Sequence, residues 1–148
     1  MGTVFNSTFE VSLRLLLLLS VSGDVGLSVD RIAMYDFVTI YSKYFGLSDR
    51  VLHGENEFGF SEIASRRNKT QAALKEMILG GFVQVVRSEA GYKYCLSENG
   101  KKVASNMVSE YASAYRKMAE QTVKRFRNNS ETEMLDVISK ASVQSLRR

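Results

Sequence analysis

A chain of 148 residues with no proline, one cysteine, one histidine and a net charge of +4 has the size of one domain that buries its own core. Average usage would supply about seven prolines, so their absence points to a mostly helical chain with few rigid turns. The lone Cys95 excludes an internal disulfide and a cysteine-rich zinc site, and the lone His53 excludes a histidine-pair metal site.

The first element is announced by "STFE", in which Ser7 and Glu10 form a capping box; the helix it opens runs to about Ser20. Phe9, Leu13 and Leu16 mark one face, and Val11, Leu15, Leu18 and Leu19 cover most of the rest. A narrow polar stripe remains, where Glu10 and Arg14 stand four residues apart and can pair. Such a helix is buried almost all round, either centrally or against another subunit. Its apolar run "LRLLLLLSV" falls short of the roughly 18–20 residues that a membrane span requires.

"SGDVGLS" reads as a turn, and Ser28 caps a second helix that lasts to about Phe45, with Gly46 as its stop. "LSDRVLHGENEFGF" reads as a loop. From Ser61, "SEIASRRNKTQAALKEMILGGF" fits either one helical face or two short helices broken near Asn68, ending at Gly80 and Gly81. "FVQVVR", "SEAG" and "YKYCLS" then make a β-hairpin. Ser97 caps a helix of nearly thirty residues, possible to break once, that reaches Phe126. Ser130 and Glu133 repeat the capping box and open a last helix with Met134, Leu135, Ile138 and Leu146 on one side.

The expected fold is therefore mainly α: a winged helix-turn-helix with one β-hairpin, flanked by N-terminal helices and by long C-terminal helices that project toward a partner, the last of which either docks there or folds back on its own core. Charge divides it. Residues 1–59 hold four Lys/Arg against seven Asp/Glu, and residues 60–148 hold sixteen against nine. The predicted parts are an N-terminal helical part, 1–59, a winged-helix core with its long following helix, 60–128, and a C-terminal helix, 129–148, all of one unit.

No phosphate-cradling glycine loop is present, and neither "HGENE" nor mid-strand Cys95 belongs to a catalytic constellation. The chain is expected to be no enzyme and to need no cofactor, metal, membrane or small-molecule substrate. With no leader of the secretory type, the cytoplasm is its expected compartment. Binding is left. A DNA-reading winged helix would use Arg66, Arg67, Lys69, Thr70, Gln71 and Lys75 around its second helix, with Arg87 and Lys93 on the wing. A solvated helix face accounts for the same residues, since Glu62, Glu76 and Glu89 are interleaved with them.

The segments "FNSTFEVSLRLLLLLS", "RIAMYDFVTIYS", "SEIASRRNKTQAALKEMILGGFVQVV" and "GYKYCLSENG" resemble the small middle component of the ABC-three-component systems, bacterial defence operons that include the Lamassu type. The likeness spans about residues 5–126. It rests on Phe5, Asn6, Phe9, Glu10, Arg14, Arg31, Asp36, His53, Glu62, Arg66, Arg67, Leu74, Gly81, Phe82 and Tyr94 in the expected order. Gly54 stands where the family pattern often has proline, and the last helix lies outside the likeness.

The resemblance implies a kleisin-like adaptor that joins an SMC-like ATPase subunit to an effector subunit, commonly a nuclease, in an anti-phage or anti-plasmid complex. DNA would then be met through the complex. The candidate partner-binding residues are Phe9, Leu13 and Leu16 on the first helix, Arg66 and Arg67, and Met134, Leu135, Ile138 and Leu146 on the last. The alternative is a dimeric winged-helix transcription regulator, paired through the long helix from Ser97 to Phe126.

Overall fold

The computed structural model describes residues 7–47 and 62–146; Phe5, Asn6, His53 and the loop expected after Gly46 lie largely or wholly outside the described residues. Among the described residues, six α-helices and one hairpin surround a shared core. The helices are α1 (Thr8–Val21), α2 (Val29–Ile40), α3 (Glu62–Leu79), α4 (Glu98–Ser105), α5 (Glu110–Phe126) and α6 (Glu131–Leu146). The strands β1 (Val83–Ser88) and β2 (Gly91–Leu96) stand between α3 and α4.

Helix α1 begins where its cap places it, the Ser7 hydroxyl accepting the Glu10 amide at 3.2 Å. Its leucine run is central, not projecting: Leu15, Leu17 and Leu18 are fully enclosed, and α3, α4, α5 and β2 all pack on it. Arg14 turns inward to Asp36, because a charge enclosed in apolar surroundings needs an enclosed counter-charge.

Ser28 caps α2 by accepting the Arg31 amide at 3.1 Å, and every residue from Ile32 to Ile40 is buried. The helix stops earlier than its sequence period suggests. A 3-10 turn, Ser42–Phe45, follows, and Gly46 closes it in the left-handed region at φ 71°.

The segment from Glu62 to Leu79 is one continuous helix of 18 residues, with no break at Asn68. It ends in a Schellman motif: Phe82 donates to the Met77 carbonyl at 2.8 Å and Gly81, at φ 82°, to Ile78 at 3.0 Å. The hairpin pairs Val85 with Tyr94 and Arg87 with Tyr92. A third, minimal strand joins it, since Leu27 between α1 and α2 exchanges both backbone hydrogen bonds with Tyr94 at 3.0 and 2.8 Å.

The expected thirty-residue helix is broken once, after Ser105, and Ser109 recaps it by accepting the Ala112 amide. Arg116 of α5 donates to the Ala104 and Met107 carbonyls, at 2.8 and 3.0 Å, and so satisfies the open end of α4. The later helices do not project. Helix α5 lies along α1 and α2, and α6 folds back on α2.

The α6 capping box is complete: Ser130 donates its amide to Glu133 at 2.7 Å and accepts the Glu133 amide at 3.0 Å. Arg31 clamps the α5–α6 turn by donating to the carbonyls of Phe126 and Asn129 at 3.2 and 2.7 Å, while Ser28 donates to Glu131 at 2.7 Å.

Candidate functional site

Four helices meet at Asp36. Arg14 reaches its carboxylate with Nε and Nη2 at 3.0 and 3.1 Å, Arg66 with Nη1 at 3.3 Å, and the Tyr115 hydroxyl donates at 2.6 Å. Arg66 also holds Glu62 at 3.0 Å, and Tyr41 donates to the other Glu62 oxygen at 2.8 Å. The Arg66 guanidinium lies over the rings of Phe37 and Tyr41, each centroid 5.8 Å away. Two arginines thus balance two carboxylates between α1, α2 and α3.

Burial alone would push the Asp36 carboxyl up, but the charges of Arg14 and Arg66 and the donated hydrogen bonds hold it below its usual range. Burial, then the field of Asp36, drives the Tyr115 hydroxyl well above its usual value. Burial and the bond to Glu62 push Tyr41 up to about 12. The network ties α1, α2, α3 and α5 together at one buried carboxylate.

This geometry redistributes the residues singled out from the sequence. Arg66 faces inward, its guanidinium committed to Asp36 and Glu62, and Thr70 is buried beside it on the same helix face. Arg67 pairs with Asp30 of α2 at 2.6 Å on a half-exposed face. Lys69 and Lys93 are half-buried, and Gln71, Lys75 and Arg87 are exposed.

On α1, Phe9 is 69% exposed, Leu13 is partly covered and Leu16 is buried. On α6, Met134 and Ile138 face the core while Leu135 is turned outward, so the expected single stripe is divided between inside and outside. Of Leu146 only the backbone lies within the described residues.

Among the described residues, the outer face of α3 is one surface open to a partner. With Arg66, Thr70, Ala73, Leu74 and Met77 turned inward, the helix presents Ser65, Asn68, Gln71, Ala72 and Lys75 outward. An open groove of about 640 Å³ runs between this face and the hairpin, bounded by Asn68, Gln71, Lys75 and Leu79 on one side and Tyr94 on the other. The register puts Arg87 and Tyr92 on the same sheet face as Tyr94, farther out along the hairpin.

Ser65 and Asn68 carry no charge, so the pattern of cations in the sequence does not single them out. Their phase was readable, since 65, 68, 71–72 and 75 lie on one side of a helix. The interior network was also half-visible: Asp36 is the single acid within the apolar run "AMYDFVTI".

Among the described residues, no three of His, Cys, Asp or Glu stand together as a metal-holding group, and no helix is long and apolar enough to cross a membrane. No curated protein and no solved structure matches the chain. A family model, described as ABC-three component (ABC-3C) system Middle Component 2, matches residues 4–148. The match extends through α6, which the sequence resemblance had left out, and the packing of Met134 and Ile138 into the common core accounts for that helix being part of the same unit. The chain belongs to the ABC-three component system Middle Component 2 family.

Proposed function

We propose that the chain is a non-catalytic, kleisin-like adaptor of a Lamassu-type defence system, joining an SMC-like ATPase to an effector, commonly a nuclease, in the cytoplasm. The observation that carries the reading is the family match across residues 4–148, which makes the chain one component among several.

Two features support the details. The chain order is helix α1, the Leu27 bridge, helices α2 and α3, then the hairpin, and this is the order of a winged helix. Its helix pair is then α2 with α3, not two halves of the segment after Ser61. The non-catalytic part rests on the sequence, which has one histidine and one cysteine, and on the mutual commitment of the buried ionisable groups.

Affinity purification of the tagged chain from its native host tests the reading. A large ATPase and an effector are the expected companions. Recovery of a self-dimer alone that shifts one promoter fragment overturns the adaptor in favour of a transcription regulator.

A further inference from the structure

The outward face of α3 has a composition that a merely solvated helix does not need. Ser65, Asn68, Gln71 and Ala72 are short or amide-bearing, and Lys75 is the long cation of the row. Amides can match the donor and acceptor pair of adenine, a hydroxyl can serve any base edge, and a methyl can meet the thymine methyl. From Ser65 to Lys75 the row is about 15 Å long at the α-helical rise, comparable with the roughly 12 Å width of the major groove of duplex DNA.

The cations around it are available. Among the described residues, Lys69, Lys75 and Arg87 have no carboxylate within ion-pair distance, whereas Arg66 is committed to Asp36 and Glu62 in the interior, Arg67 pairs with Asp30 on a half-exposed face, and Lys93, opposite Val86, lies on the other face of the hairpin. Glu76 on α3 and Glu89 at the hairpin tip are the opposing exposed charges of this surface, which leaves it net positive. The hairpin is braced against swinging away by the Leu27–Tyr94 bridge and by Gly26, whose left-handed backbone at φ 89° brings it against Lys93.

From this placement we infer that the subunit itself holds duplex DNA: the α3 row from Ser65 to Lys75 enters the major groove, and Lys69, Lys75 and Arg87 meet phosphates. The inference stands on α3 and the hairpin alone and is independent of which proteins the chain joins. Charge complementarity selects nucleic acid as the occupant, and the short amide and hydroxyl side chains select a groove floor over a backbone-only contact.

The experiment titrates the purified full-length chain with a fluorescent duplex at several salt concentrations. Three phosphate contacts predict a log–log salt slope of roughly −2.5 to −3. The double variant K75E/R87E should bind more than tenfold more weakly and lose roughly two units of slope, while K117E/K124E on the exposed face of α5 should lose less. Methylation of guanine N7 by dimethyl sulfate should be blocked under the bound protein, because N7 lies in the major groove.

No duplex binding at low salt overturns the inference, as does binding that the K75E/R87E change leaves untouched. Binding with N7 fully reactive overturns groove entry. Circular dichroism checks that each variant is folded. Recovery of the protein companions by K75E/R87E separates the two readings: a variant that loses those companions, in a chain that never bound DNA, makes this face a protein interface and leaves the adaptor standing.

Discussion

Arg14 on α1 grips Asp36 on α2 through two parallel hydrogen bonds, Nε–Oδ1 at 3.0 Å and Nη2–Oδ2 at 3.1 Å, with both side chains almost wholly shut from water. Removing either partner leaves the other charge enclosed and under-compensated. Asp36→Ala and Arg14→Met should each cost about 3–5 kcal/mol in urea unfolding. The double variant Arg14→Met with Asp36→Leu should recover part of that loss. Single variants within about 1 kcal/mol of the parent would contradict the assigned role of the pair.

The same network sets the pH range of the fold. Asp36 is held below its ordinary 3.8, so its contribution is whole above that pH and is lost as pH falls through the lower folded value. Tyr41 runs the opposite way. Raised from 10.0 to about 12, it contributes fully below pH 10 and fades as pH climbs toward 12. Urea midpoints across pH should therefore decline at both ends, with Asp36→Asn shallow on the acid side and Tyr41→Phe shallow on the alkaline side. Unaltered limbs in both variants would place the titrating groups elsewhere.

Helix α6 is expected to be part of the fold. Met134 and Ile138 are both fully buried, and each such side chain contributes about 1.5–3 kcal/mol. Deleting residues from Ser130 onward should lower the melting temperature by on the order of 10 °C. Arg31→Ala should act in the same direction by releasing the α5–α6 turn, seen as faster amide exchange from Phe126 to Met134. A truncated chain as stable as its parent would show α6 to be an accessory.

Gly100 offers a sharper test, because helix propensity and packing predict opposite signs. Alanine is the better helix former by roughly 0.5–1 kcal/mol. A Cβ at Gly100, however, would overlap the Phe82 carbonyl oxygen and press on Leu96 Cδ2 at 3.2 Å. Packing should win, and Gly100→Ala should destabilise by about 1–3 kcal/mol in denaturant unfolding. A gain in stability would mean that α4 can step away from the hairpin without cost.

Local chemistry was largely legible. Ser7, Ser28, Ser97 and Ser130 are all observed caps, and the hairpin falls where its β-branched residues and Gly91 place it. Such signals are complete within four or five residues. The partner of Arg14 was not legible, since Glu10 on the same helix and Asp36 on the next satisfy the same charge, and only the packing of α1 on α2 decides. Arg66 and Lys69 differ by three residues and read alike as cations, yet one is buried and one is half-exposed. Phase relative to the core, not charge, separates them. The stripe on α6 failed for a related reason: Leu135 is adjacent to Met134 but points away from it.

The central position of α1 bears on how the chain is made. Its leucines are covered chiefly by α3, α4 and α5, and roughly a hundred residues must be synthesised after Val21 before α5 is complete. At about 5–20 residues per second the most apolar helix of the protein waits roughly 5–20 s for its cover. A ribosome pausing before Phe126 would lengthen that exposure, so the yield of native subunit should respond to translation speed and to the supply of chaperones that shield nascent apolar helices.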